Sequence, residues 1–182
     1  MSPYLPGCAA ASDSVPKLQV KGFYGNFLVV LKALTYMMTL GAEGIREACE
    51  GAVLNANYMM AGLRDLYPVA YGQRCMHEFV LSLEQLKKET GVSALDVAKS
   101  LIDYGIHPPT MYFPLIVHEA LMFEPTETES KETLDEAIAV LRALHELAYS
   151  DAEQMHQAPH HAQIKRPNEV QAARHPVLRY QR

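Results

Sequence analysis

Two turns carry the groups best suited to chemistry. Asp103-Tyr104-Gly105-Ile106-His107-Pro108-Pro109-Thr110 is the first, and Glu124-Pro125-Thr126-Glu127-Thr128-Glu129-Ser130 is the second, with an apolar segment between them. Gly105 stands where a left-handed residue is cheap, and the prolines behind His107 hold its backbone rigid. An imidazole near its ordinary pKa of about 6.5 can donate or accept at neutral pH. Thr110 adds a hydroxyl just beyond, so His107 and Thr110 are candidate cleft-lining residues. Glu124 and Thr126 are candidates of the same kind on the second turn. That turn also has a plain structural use, in which Pro125 stops a strand, Thr126 or Thr128 caps a helix, and the glutamates complement the helix dipole. Free N–H groups at that helix start could hold a carboxylate or phosphate, although three glutamates oppose an anion there.

His77-Glu78 is a third candidate site. The segment from Cys75 to Leu83 reads as a strand, which sends the two side chains to opposite faces and prevents them from acting as a bidentate pair. Either one of them faces a cleft, or the pair is a polar element at a sheet edge. Arg74 lies close by. His156, His160 and His161 have a spacing seen in metal sites. They lie in a proline-broken polar tail without a neighbouring cysteine, and no metal is assigned to them. No nucleotide-binding glycine loop, zinc finger or nucleophile elbow is present.

The elements that must position these groups follow from periodicity. Phe27, Val30, Leu31, Leu34, Met37 and Met38 recur at helical spacing up to Leu40-Gly41. A second helix is expected from Gly44 to about Tyr67, with a broad apolar face that implies burial between layers. Lys87 and Lys88 read as a polar turn. Ser93 and Asp96 form a capping pair for a helix that Gly105 ends. Met111–Phe113 and Leu121–Phe123 read as strands around an irregularity at Pro114. Leu134, Ile138, Leu141, Leu144 and Ala148 then stripe one last long helix. Few strands with segregated helices predict a two-layer α+β fold, with helices on one face of a small sheet. The expected organisation is a loose N-terminal arm over 1–22, an α+β domain over 23–150 and a wrapping tail over 151–182.

At 182 residues and a net charge of −5 the chain suits one ordinary domain and carries no basic footprint for nucleic acid. Cys8, Cys49 and Cys75 are an odd count without paired spacing, which fits thiols in a reducing compartment. Leu5-Pro6-Gly7-Cys8 looks like a lipoprotein cleavage box but lacks a charged start and an apolar run of about 7–15 residues. No segment of about 18–20 apolar residues is expected to span a membrane. The reading is a cytoplasmic protein without a membrane or nucleic-acid partner.

Together with Phe23-Tyr24-Gly25-Asn26-Phe27, Asn55-Ala56-Asn57-Tyr58 and His77-Glu78-Phe79, the two turns closely resemble the C-terminal part of glycine decarboxylase. This is the pyridoxal-phosphate P-protein of the glycine cleavage system, in its second-subunit form. The resemblance runs in order from about Lys21 to Tyr180, and Pro3-Tyr4-Leu5-Pro6 is similar to the segment that precedes it. It implies the small C-terminal domain of a fold-type-I pyridoxal-phosphate enzyme. Such enzymes, where they bind amino acids, often hold the substrate carboxylate with an arginine on this domain, which makes Arg74 the candidate carboxylate-binding residue. The implied reaction is decarboxylation of glycine, with aminomethyl transfer to the lipoyl group of the H-protein. The family's Schiff-base lysine follows a histidine and precedes a glycine-rich run. None of Lys17, Lys21, Lys32, Lys87, Lys88, Lys99, Lys131 or Lys165 has those neighbours, so no catalytic residue is assigned. The cofactor is expected to be held covalently by a separate large domain, and the expected partners are that large domain or a first subunit, the lipoylated H-protein and glycine. The alternatives are a non-catalytic binding or assembly module and a truncated fragment of the same family.

Overall fold

The structure, a computed structural model, describes residues 25–179. The arm expected over 1–22, with Pro3-Tyr4-Leu5-Pro6 and Cys8, falls outside them, as do Phe23 and Tyr24. The elements in order are α1 (Phe27–Leu63), β1 (Phe79–Ser82), α2 (Glu84–Thr90), α3 (Ala94–Asp103), β2 (Thr110–Met111), β3 (Ala120–Phe123), α4 (Lys131–Ser150), α5 (Ala152–His156) and α6 (Glu169–Arg174). The chain divides into two compact units, residues 1–47 and 48–182.

In the first unit the apolar run from Phe27 is helical, as its spacing predicts. It breaks at Gly41, whose φ of 65° and ψ of −175° are not helical. A residue without Cβ takes that φ at little cost. By length and composition α1 is apolar enough to cross a membrane, with a mean hydropathy of 1.4 over an 18-residue window. That corrects the expectation that no segment would qualify. The break at Gly41 nevertheless limits the leading stretch to about 21 Å, at about 1.5 Å per residue. A hydrocarbon core is about 30 Å thick.

In the second unit the core forms where α1, α3 and α4 meet one face of the sheet. Ala56, Met59, Met60 and Leu63 of α1 are buried together with Val97 and Leu101 of α3 and Leu134, Leu141 and Leu144 of α4. The broad face predicted for α1 is only partly realised in this unit: Cys49 is exposed, and Ala52 and Val53 are half-buried. Gly62 lets α1 and α4 approach closely, because a Cβ there would stand 2.8 Å from Cδ1 of Ile138. Arg142 fixes the same crossing. It donates to the Gly62 carbonyl at 2.9 Å and makes a two-pronged pair with Asp65 at 2.8 Å on each arm. Behind it Tyr67, only 2% exposed, donates its hydroxyl to the Leu141 carbonyl at 2.9 Å.

The sheet is antiparallel in the order β1-β3-β2. Phe79 pairs with Phe123 and Leu81 with Leu121, which places these four on the core face, and the two phenyl rings stack at 5.4 Å. Val80, Met122 and Thr110 share the opposite face by the same alternation. β1 is shorter than the strand expected over Cys75–Leu83, and His77 and Glu78 precede it. The physical reason is that the Cys75 backbone pairs with a side chain, Asn57, rather than with a neighbouring strand.

Further differences are local. Residues 84–90 form helix α2 rather than a polar turn. Leu86 anchors it in the core, Lys88 pairs with Glu84 one turn away, and Gly91 closes it in the left-handed region at φ 83°. Ser130 caps α4 by accepting from the Thr133 N–H, where Thr126 or Thr128 was expected. The predicted capping pair is present as a full box at α3, with Ser93 and Asp96 each accepting the other's backbone N–H. Gly105 takes a φ of 72° after α3.

The segment beyond α4 is fastened by two carboxylates. Asp96 pairs with Arg166 at 2.8 Å and lies 3.3 Å from His156. Asp103 accepts the backbone N–H groups of His160 and His161 at 2.7–2.9 Å. Burial pushes both carboxyls up, but the donors around them outweigh it and hold each below the usual aspartate range. Met155, Ala158 and Pro159 are buried under this fastening.

Candidate functional site

The register of the sheet gathers the candidate residues at one end of it. Phe79 opposes Phe123, so continuing the pairing brings Glu78 opposite Glu124. Thr110 opposes Met122, which by the same continuation brings Pro108 opposite Glu124 from the other side. Glu124 therefore leaves the central strand with the His77-Glu78 segment on one flank and the His107–Pro109 turn on the other.

Two adjoining clefts open there, and Met122 belongs to both. The first, about 420 Å³, holds His107, Thr110, Glu124 and Thr126 above an apolar floor that includes Met59, Phe123 and Leu134. The second, about 510 Å³, holds Arg74, His77 and Glu78 beside Tyr71, Phe113 and Val80. The imidazole Nε2 of His77 lies 3.8 Å from Glu124 and 3.9 Å from Glu78, a weak attraction when the ring is protonated, with all three side chains substantially exposed. All seven candidates thus line one cleft or the other. His77 and Glu78 are not divided between two sheet faces as a strand would require.

Among the described residues no ion-pair partner is found for Arg74, which leaves its guanidinium available to a carboxylate. The opposite cleft is less suited to an anion, because Glu124 and Glu129 both line it and Ser130 already caps the helix behind it. Burial pushes the Cys75 thiol up, away from the thiolate that nucleophilic chemistry needs.

No described lysine lines either cleft. Lys87 pairs with Glu119, Lys88 with Glu84 and Lys131 with Asp135. His160 and His161 are engaged through their backbones with Asp103, and the Nε2 of His160 lies 2.9 Å from the Gln154 carbonyl. Among the described residues no cluster of three or more histidine, cysteine or acidic side chains has metal-binding geometry.

Asn55 and Asn57, which the sequence marks only as part of a block shared with the family, are the site residues that sequence reasoning did not assign. Asn55 donates to the carbonyls of Thr126 at 2.8 Å and Glu129 at 3.1 Å. Asn57 accepts from the Cys75 N–H at 3.1 Å and donates to the Cys75 carbonyl at 2.8 Å. The available signal was their position: asparagine is a poor helix former, costing several tenths of a kcal/mol against alanine, and two of them sit inside one helix.

Residues 48–168 match the family described as glycine dehydrogenase, C-terminal domain. A probable glycine dehydrogenase (decarboxylating) subunit 2 of Treponema denticola is 63% identical over 168 residues, which is 92% of this chain and 34% of that protein. The Staphylococcus haemolyticus protein of the same description is 55% identical, covering 89% of this chain and 33% of its own length. That of Thermotoga maritima is 49% identical, with coverages of 89% and 34%. The chain thus spans about a third of the length of the curated relatives it matches. A crystal structure of glycine decarboxylase, the P-protein of the glycine cleavage system, in inhibitor-bound form, superposes with a TM-score of 0.53 at 24% identity. It covers 64% of this chain and 26% of that one, a likeness of fold. By the extent of the family match, this chain belongs to the glycine dehydrogenase C-terminal domain family.

Proposed function

We propose that this chain is the C-terminal part of an aminomethyl-transferring glycine dehydrogenase (decarboxylating). It would act in the cytoplasm with a separate P-protein large domain or first subunit. The reaction would be decarboxylation of glycine with transfer of the aminomethyl group to the lipoyl arm of the H-protein. The observation that carries this reading is the convergence of the His77-Glu78, His107–Thr110 and Glu124–Thr126 segments at one end of the sheet, in a chain that belongs to this family.

Pyridoxal phosphate, in the complete enzyme, supplies the electron sink that such a decarboxylation needs. The described residues do not fit this cofactor: neither cleft holds a lysine for its covalent attachment, and Glu124 and Glu129 of the first cleft oppose its phosphate. The large domain would carry the cofactor. The part assigned to this chain is a wall. Arg74 would hold the glycine carboxylate, and His77, Glu78, His107, Thr110, Glu124 and Thr126 would present hydrogen-bonding groups to the substrate. The apolar floor would exclude water.

The test is a titration of the purified chain with pyridoxal phosphate, alone and with the large-domain partner, followed by visible spectroscopy and glycine decarboxylation. A glycine-dependent spectral change and carbon dioxide release only in the presence of the partner is the expected result. A cofactor band from the chain alone would overturn the division of labour. Silence in both mixtures would overturn the enzymatic reading and favour a binding or assembly module, or a fragment without activity.

A further inference from the structure

We infer that Asn55 and Asn57 of α1 are positioning residues that hold the two walls of the site at a fixed separation. The inference rests on the functional reading above for what the walls do, and on geometry alone for how they are held.

Residues two apart on a helix point about 200° away from each other. Asn55 and Asn57 therefore reach to opposite sides of α1, and each meets a different site segment. Both amide hydrogens of Asn55 go to the Glu124–Ser130 turn, at the carbonyls of Thr126 and Glu129. Gly51 lies one helical turn earlier on the same face. A Cβ there would stand only 3.5 Å from the Glu127 Cβ, so the turn rests directly on α1. On the other side, the Asn57 amide pairs with the backbone of Cys75 as a neighbouring strand would, taking its N–H and giving to its C=O. Its second hydrogen returns to the Val53 carbonyl at 2.8 Å, which fixes the side-chain rotamer. Arg74 and His77 flank Cys75 and are held through it.

The rest of the block serves the same helix. Ala56 is completely buried, and Tyr58 donates to Asp135 of α4 at 2.5 Å. The two walls do not pair with each other through backbone hydrogen bonds before Phe79 and after Phe123. Beyond the paired strands from which they emerge, their common reference is α1. A group of this kind acts through the residues it places, and misplacement of about 1 Å costs on the order of a hundredfold in rate.

The test uses the full chain with Asn55→Ala, Asn57→Ala and Asn57→Asp, read by amide hydrogen exchange alone and by glycine kinetics with the large-domain partner. Asn57→Ala is expected to raise exchange over residues 73–78 about tenfold and leave 124–130 unchanged; Asn55→Ala should do the reverse. Asn57→Asp keeps the acceptor for the Cys75 N–H and should recover part of the protection. In the complex, Asn57→Ala should raise KM for glycine through Arg74 more than it lowers kcat. If either substitution loosens both segments equally, or neither loosens any, the brace is refuted. If exchange separates as described while the kinetics of an active complex stay unchanged, the positioning role is refuted. If the unsubstituted complex is itself inactive, the functional reading fails, and the exchange pattern still decides the brace.

Discussion

Gly62→Ala tests the α1–α4 crossing that underlies the site. Alanine is the better helix former by about 1 kcal/mol, so on propensity alone the substitution stabilises. Against that, its Cβ would meet Ile138 at 2.8 Å from Cδ1, 3.2 Å from Cγ2 and 3.3 Å from Cγ1. Carbon contacts are optimal at about 3.5–4.0 Å, and overpacking of a closed crossing costs about 1–3 kcal/mol. The crossing cannot open freely, because Arg142 ties the Gly62 carbonyl and Asp65 to α4. The net expectation is a loss of about 1 kcal/mol. Ile138→Val removes Cδ1, the nearest of the three atoms, and itself costs about 0.5–1.5 kcal/mol. In that background the clash shrinks below the propensity gain, and Gly62→Ala should become neutral or slightly stabilising. Urea unfolding of the four variants measures the coupling, expected at about 1 kcal/mol. Strict additivity would refute the steric reasoning.

Three further outcomes follow from the same structure. Asp96 and Asp103 are held below their unfolded value of about 3.9, so their stabilisation is present above about pH 4 and lost as pH falls through the folded values. Thermal unfolding should show an acid limb there that Asp96→Asn flattens, at a cost of about 1–2 kcal/mol near neutral pH from the weakened Arg166 pair. Tyr67→Phe deletes the buried hydroxyl that serves the Leu141 carbonyl and should cost about 1 kcal/mol in urea unfolding, with no change in the m-value. Gly105→Ala forces a Cβ into a φ of 72° and should lower stability by about 1 kcal/mol, whereas Gly72→Ala, with no positive φ and open space around it, should not.

What could be read from residues alone was whatever is decided over a few neighbours. The Ser93–Asp96 box, the left-handed Gly105 and the stripe from Leu134 to Ala148 all depend on contacts three or four residues apart, and all appear in the structure. Helix α2 was invisible because its seven residues carry a single core side chain, Leu86, and are helical by virtue of burying it. The α4 cap was ambiguous for another reason. The expected caps, Thr126 and Thr128, are hydroxyl residues like the actual cap Ser130, and the turn's carbonyls are committed to Asn55, 71 and 74 residues away in sequence. The site residues could be named one by one, but their assembly around Glu124 follows from strand register. Register is set by pairing across the sheet, and no short motif encodes it.

The face of α1 that meets α4 also meets the second site turn. Gly51, Asn55 and Gly62 are four and seven residues apart, so they lie on one side of the helix. Displacing α4 at Ile138 therefore acts on the Asn55 contacts as well. Relieving a 2.8 Å approach to a carbon contact of about 3.5 Å requires a shift of about 0.7 Å. The bond from Asn55 to the Glu129 carbonyl is already 3.1 Å long, near the outer end of the usual range of about 2.7–3.2 Å, and cannot absorb that shift. The bond to Thr126, at 2.8 Å, has more slack. Gly62→Ala should thus raise hydrogen exchange over residues 127–130 about fivefold while leaving 73–78, held from the opposite side by Asn57, protected. Ile138→Val should restore the protection as it restores stability. Exchange that rose equally in both segments would show general loosening of the fold, and the link from helix crossing to site wall would be wrong.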